Sequence, residues 1–323
     1  MDNFPLTDWI PYKLTRNNNQ NLCTWLDTFG EPFTEPFFNE TIKKCRLING
    51  QHAKLPSVSD LTILPEWANK ATSIVPGVFI FHISRCGSTL VSQLFATLNS
   101  CISLSEVPFF DDLLRLPFQD PDFDKSLTGD LLTSAIKFYG QQRTGNERHL
   151  VIKADSWHIG FYEQIRSLYP GVPFVLMYRR PDEVFRSHGK LKGMQAVPGL
   201  IEPQVFGFDP SAIDYCDFDG YLSGILESYL SKYLEIIETD KRCMLVNYNE
   251  GPMPVIKKIA SFAGIGLSDD EISLMQERSR YHSKTPGERF SDETSADSPA
   301  CIAKVMVLYE KLEQRRAGTI NTP

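Results

Sequence analysis

An α/β fold, with a mostly parallel central sheet flanked by helices and an irregular N-terminal extension, is predicted by two features of this 323-residue sequence. Five short apolar runs, VFIFHI, CISL, LVIK, PFVLMY and CMLVNY, succeed one another from Val78 onward. Each is continuous rather than alternating, as strands buried on both faces must be. Stretches of helical period lie between them. Alternating strands and helices are the pattern of a parallel sheet covered on both sides, with ligands bound beyond the carboxyl ends of its strands.

Taken in chain order, residues 1–76 carry no long periodic pattern and are rich in aromatics, Pro and Asn, so they are read as an extension packed on a main domain of residues 77–323. Trp9, Trp25, Phe33, Phe37 and Phe38 are read first as packing groups and second as the wall of a pocket. After the first buried strand, Leu90, Val91, Leu94, Phe95 and Leu98 share one helical face. Asp111 and Asp112, in the segment VPFFDDLLRLPF, are expected to be solvated. Residues 192–220 are rich in Pro, Gly and aromatics without periodicity, which suits a surface excursion or a loop covering a substrate. Leu222, Ile225, Leu226, Tyr229, Leu230, Tyr233, Leu234 and Ile237 predict a longer helix with one core face. Ser268 with Glu271 predicts a capping box, and Ser298 with Pro299 the start of a closing helix to Arg316.

Composition narrows the function classes. With 42% apolar residues the chain has ample material for a core, and disordered or fibrous classes are excluded. No apolar run approaches the ~18 to 20 residues of a membrane span. The first residues, MDNFPLTDWIPYKLT, lack the basic start and apolar run of a signal peptide, which predicts a cytoplasmic protein. Seven cysteines without a C-x-x-C pair read as reduced thiols. A net charge of -7 argues against nucleic-acid or anionic-membrane partners, so an anionic ligand must be held locally. The six histidines show no metal-ligand spacing, and no metal is expected. His82 is read as a core residue, while His188, beside Ser187, is placed near a nucleotide.

The strongest local signal is GVFIFHISRCGSTLVSQLFATL, in which a buried strand enters a short turn and then a helix. Free N–H groups at a helix start, its positive dipole end and the hydroxyls of Ser88 and Thr89 all favour a phosphate. Arg85 adds a full charge, Gly87 allows close backbone approach, and Cys86 is read as a small side chain filling the turn. The loop departs from G-x-x-x-x-G-K-[ST], because His82 stands at the first Gly and Ser88 at the Lys. After the strand PFVLMY comes RRPDEVFRSHGK, which places Arg179 at a strand end and Ser187 two helical turns later. Arg179 can fork onto phosphate oxygens, and Ser187 returns a hydroxyl to the same region.

Together these segments resemble the sulfotransferase family, especially its bacterial branch with a P-loop-type loop of approximately S-R-S-G-S-T-L, matched here by Ser84 to Leu90 with Cys86 as the departure. The resemblance spans about Val78 to Asp292. It implies that Arg85, Cys86, Gly87, Ser88, Thr89 and Leu90 hold the 5′-phosphosulfate of PAPS (3′-phosphoadenosine 5′-phosphosulfate) and that Arg179 and Ser187 hold its 3′-phosphate. It also implies a turn under the nucleotide at VNYNEG, where Asn249 replaces the usual Glu, and a closing loop HSKTPGERFSDE with Lys284 near a phosphate or the adenine.

Sulfuryl transfer needs a polyanion site, stabilisation of the leaving phosphate and a base for the acceptor, and no metal. Arg85 is assigned to the leaving group. Two carboxylates are open as the base: Glu106 after the second strand, which is preferred, and Asp155 after the third, which also suits a helix cap. Lys153, ending the third strand, is assigned to transition-state charge. The resulting expectation is a nucleotide-binding transferase using PAPS as co-substrate on a hydroxyl or amine of a small-molecule, lipid, carbohydrate or peptide acceptor. A homologue without turnover and a kinase reusing the loop are the alternatives, and the aromatic N-terminal segment leaves a homodimer open.

Overall fold

The computed structural model describes residues 6–17, 20–52, 56–281 and 299–320. The chain runs β1 (Trp9–Asn17), β2 (Gln20–Asp27), α1 (Phe38–His52), β3 (Ser57–Asp60), α2 (Ile63–Ala68), β4 (Pro76–His82), α3 (Ser88–Ala96), β5 (Cys101–Ser105) and α4 (Pro108–Gln119). It continues through α5 (Thr128–Tyr139), β6 (His149–Lys153), α6 (Tyr162–Leu168), β7 (Phe174–Tyr178), α7 (Pro181–Lys190), α8 (Phe218–Thr239), β8 (Cys243–Asn247), α9 (Pro252–Phe262), α10 (Asp269–Arg278) and α11 (Ala303–Ile320). The fold is α/β. Five strands make a parallel sheet ordered β5-β6-β4-β7-β8, and β1, β2 and β3 make a separate antiparallel sheet. The chain leaves β4 for one side of the larger sheet and later returns to pair β7 on the other. The carboxyl end of β4 is thus the topological switch point where open α/β sheets bind ligands. Among the described residues no helix is long and apolar enough to cross a membrane.

Two compact units share the chain. The first comprises Met1–Gly77, Ser92–Lys153 and Glu163–Pro170. In it β1 and β2 pair antiparallel with a register shift between Pro11 and Lys13, where proline supplies no N–H to a ladder. Trp25 packs on Phe138 with ring centroids 4.9 Å apart and on Trp67 at 5.4 Å, while Phe38 meets both Phe33 and Tyr139. Trp25, Phe33 and Phe38 are buried and pack as expected, while Trp9 and Phe37 are half-buried. The acidic pair of α4 corrects the sequence reading. Asp111 is buried and ion-paired with Arg115 at 2.9 Å, and Asp112, half-buried, accepts the Leu14 N–H of β1 at 3.2 Å. Packing of α4 against β1 turns toward protein a face that looked polar in isolation.

The second unit comprises Val78–Val91, Ala154–Tyr162 and Gly171–Pro323. Here β4, β7 and β8 lie parallel, with Phe79 opposite Phe174 and Phe174 opposite Cys243. Helix α8 buries Leu222, Ile225, Leu226, Tyr229, Leu230 and Tyr233, but its stripe ends on Ile236, with Leu234 and Ile237 half-buried. Residues 192–220 carry three short 3-10 turns, and Ala196, Ile201, Val205 and Phe206 are buried. Helix α10 opens with the predicted box: Ser268 Oγ accepts the Glu271 N–H at 3.3 Å, and Glu271 accepts the Ser268 N–H at 2.8 Å. The closing helix begins later than predicted, since Pro299 precedes a 3-10 turn at Ala300–Ile302, and it runs on to Ile320. Ser298 lies outside the described residues.

Candidate functional site

Strand β4 delivers the chain to the turn through His82, which is buried. Its Nδ1 accepts the Ser84 N–H at 3.0 Å, so Nε2 carries the proton and donates to the Ala154 carbonyl, also at 3.0 Å. A neutral imidazole therefore pins the first residue of the turn. Ser84 and Arg85 then take left-handed backbone, φ 66° and 48°, and Gly87 follows at 76°. For a non-glycine residue this conformation costs roughly 1 to 2 kcal/mol. Among the described residues only Phe29 and Glu106 share it, so three of the four positions lie in stretches already singled out for chemistry. A tight turn that enters a helix aims backbone N–H groups outward from the helix start, an arrangement that favours an anion.

Ser88 and Thr89 open α3 and are buried, and Leu90 gives its N–H to the Gly87 carbonyl at 3.0 Å. Cys86 is fully buried with Sγ 3.7 Å from the Met177 carbonyl, in keeping with a side chain that fills the turn. Arg85 is half-buried and donates from Nη2 to the Leu191 carbonyl at 2.6 Å.

The second basic motif reaches the same place. Arg179 follows β7, Pro181 starts α7, and Ser187 lies half-buried two turns along that helix. Arg179 is ion-paired through Nε with Glu183, and its guanidinium carbon lies 6.0 Å from the centre of the Tyr248 ring. That same ring abuts Gly87, where a Cβ would come within 2.2 Å of Cε2. Two motifs 92 positions apart, at Gly87 and Arg179, thus meet on one aromatic side chain. Tyr248 stands just past β8, and its neighbour Asn249 reaches both Glu183 carboxylate oxygens, at 3.3 and 3.2 Å. Behind them Tyr178 donates to Glu313 at 2.5 Å, and Arg316 bridges Glu313 at 2.7 Å and Glu250 at 2.6 Å. Burial raises the Tyr178 hydroxyl, and the bonds to Glu313 hold the Arg316 guanidinium above its ordinary value. His188 is fully buried, its Nδ1 accepting the Gly193 N–H at 3.2 Å.

Within the first unit, Glu106 and Lys153 form a pair. Parallel register sets Ser105 opposite Lys153, and the Glu106 N–H continues the ladder to the Lys153 carbonyl at 2.9 Å. Glu106 then turns left-handed at φ 54°, and its Oε1 is ion-paired with the buried Lys153 ammonium, which lies 5.8 Å from the Phe37 ring centre. A carboxylate and a buried cation are thereby joined at the ends of two neighbouring strands. Asp155, the alternative base, caps the 3-10 turn Ser156–Phe161. His158 closes that box, taking the Asp155 N–H on Nδ1 at 3.3 Å with Nε2 3.6 Å from the Asp155 carboxylate. Lys284 lies outside the described residues.

Three residues of this arrangement were not singled out from sequence for their contacts. Glu183 is four residues from Arg179 on a helix, a spacing at which opposite charges meet, so it was within reach. Tyr248 and the Asn249–Glu183 contact depend on chain segments far apart in sequence, and no local signal marks them.

No model of a known protein family matches the chain, and no curated protein matches it. Its fold is similar to those of solved sulfotransferases. One from Mycobacterium avium is 14% identical, with 81% of this chain and 80% of that one covered at a TM-score of 0.47. One from Alicyclobacillus acidocaldarius is 12% identical, with 77% and 97% covered at 0.40. A mouse sulfotransferase complexed with PAP is 13% identical, with 84% and 95% covered at 0.39.

Proposed function

We propose that the chain moves a sulfuryl group from PAPS to a hydroxyl or amine of an acceptor. The observation that carries this reading is the convergence of the left-handed turn at Ser84–Gly87 and of Arg179 on the Tyr248 ring, which gathers two anion-binding motifs in one unit. The donor set suits a nucleotide with two separate anionic groups. A backbone cradle with Arg85, Ser88 and Thr89 takes the phosphosulfate, and Arg179 with Ser187 takes the 3′-phosphate. Ser88 stands where a Walker lysine would be, which favours a donor other than ATP-Mg.

In the reaction the acceptor oxygen or nitrogen forms a bond to sulfur while the bond from sulfur to the bridging oxygen of the 5′-phosphate breaks, leaving adenosine 3′,5′-bisphosphate. Arg85 stabilises charge gathering on that leaving phosphate. The acceptor proton goes to the Glu106 carboxylate, and Lys153 beside it meets negative charge in the transition state. The test is calorimetric titration of metal-free protein with adenosine 3′,5′-bisphosphate, 5′-AMP and ATP-Mg, followed by transfer of labelled sulfate from PAPS onto an acceptor panel of phenols, sugars, lipids and tyrosine peptides. Tight binding that depends on the 3′-phosphate is expected. A preference for ATP-Mg, or no bisphosphate binding, overturns the proposal.

A further inference from the structure

The geometry points to Glu183 as an internal anion that competes with a nucleotide 3′-phosphate for Arg179 and so promotes release of the nucleotide product, an inference that rests on the donor reading above. Nε of Arg179 is ion-paired with Oε2 of Glu183, and the two side chains are shielded, at 13% and 19% exposure. Glu183 is fixed from its other side by the Asn249 amide at 3.3 and 3.2 Å. Asn249 is itself anchored, its Oδ1 accepting the Arg180 N–H at 3.3 Å and its own N–H donating to Asn247 Oδ1 at 3.0 Å. The carboxylate is therefore held in place, against the guanidinium.

A carboxylate so placed offers Arg179 acceptor oxygens of the kind a phosphate would bring. In the empty protein it offsets the cost of a shielded cation. When a 3′-phosphate arrives, two anions contend for one guanidinium, and the phosphate either displaces Glu183 or lies beside it against like-charge repulsion. Both lower its affinity below that of an uncontested arginine. Donor and product share the 3′-phosphate, so the same contest loosens adenosine 3′,5′-bisphosphate after transfer, a step that often limits turnover. The amide at position 249 belongs to this arrangement, since a carboxylate there would face the Glu183 carboxylate.

Glu183→Gln keeps the side-chain shape and its bond to Asn249 while removing the charge. Calorimetry should show bisphosphate binding about five- to fiftyfold tighter than in the wild type, as befits loss of one competing charge, with 5′-AMP within about twofold. Stopped-flow displacement should show correspondingly slower bisphosphate release. A residue that only aims Arg179 would give the opposite sign, so unchanged or weaker bisphosphate binding overturns the inference, as does equal tightening of both nucleotides. If the wild type does not prefer the bisphosphate to 5′-AMP, the donor reading falls separately. Inorganic phosphate then decides the competition: tighter binding in Glu183→Gln than in the wild type and in the Glu183→Gln, Arg179→Ala double variant supports it, and equal binding in all three overturns it.

Discussion

The ring of Tyr248 stands where a side chain at position 87 would be: a Cβ on Gly87 would lie 2.2 Å from its Cε2 and 2.3 Å from its Cζ. Gly87 also has φ 76°, so Gly87→Ala meets both a ring that must move and a left-handed backbone that costs roughly 1 to 2 kcal/mol. Because the displaced ring also faces Arg179, bisphosphate binding should fall by more than about tenfold, with a stability loss on the order of 2 kcal/mol. Calorimetry and urea unfolding measure the two. Adding Tyr248→Ala should recover part of the lost stability, and strict additivity of the two substitutions would count against the contact.

Arg179→Ala removes the charge assigned to the 3′-phosphate. Bisphosphate binding should weaken by about 1.5 to 3 kcal/mol, the range of a charge-assisted contact, while 5′-AMP changes little. Equal losses for the two nucleotides would assign Arg179 to general electrostatics. Arg85→Ala should instead reduce transfer more than it reduces binding, which a comparison of kcat with nucleotide affinity resolves.

How far the sequence carried these conclusions differs between the two sheets. Strands β4 to β8 fall on the five apolar runs because a strand covered on both faces needs an uninterrupted run of apolar side chains. Strands β1 to β3 escaped notice: β1 contains Pro11 and several polar residues, and its burial follows no simple alternation. Residues at strand ends, such as Arg85, Glu106, Lys153 and Arg179, were locatable because a strand-to-helix junction marks itself in the sequence. Their partners were not, since Asn249 reaches Glu183 across 66 positions and Glu106 reaches Lys153 across 47. Asp111 shows the converse, looking solvated until the packing of its helix is known.

Glu106→Gln tests the proposed base. The amide cannot accept the acceptor proton, and a transfer rate lower by roughly a hundredfold to ten-thousandfold is expected, with bisphosphate affinity kept. The substitution also leaves the fully buried Lys153 ammonium without its anion, so a stability loss on the order of 1 to 3 kcal/mol should accompany it. Lys153→Met removes the cation as well as its desolvation cost, and should be less destabilising than Glu106→Gln while still slowing transfer. Unchanged turnover in Glu106→Gln would hand the base role to Asp155, whose own substitution to Asn should then be the inactive one.

Asp112 gives a prediction in pH. Burial pushes its carboxyl up from 3.8 to about 6, with Asp111 adding repulsion, while the Leu14 N–H, Arg115 and Lys13 oppose the shift. Between those two values the native state holds more protons than the unfolded chain, so stability falls as pH rises through the window, and the cost is complete above about 6. Asp112→Asn is neutral throughout and keeps an oxygen for the Leu14 N–H. The variant and the wild type should therefore be equally stable near pH 4, and the variant more stable by on the order of 1 to 2 kcal/mol near pH 7. Urea unfolding of both proteins across that range measures the difference. A constant gap at every pH would mean that the carboxyl has the same pKa in the folded and the unfolded chain, so that burial beside Asp111 does not shift it.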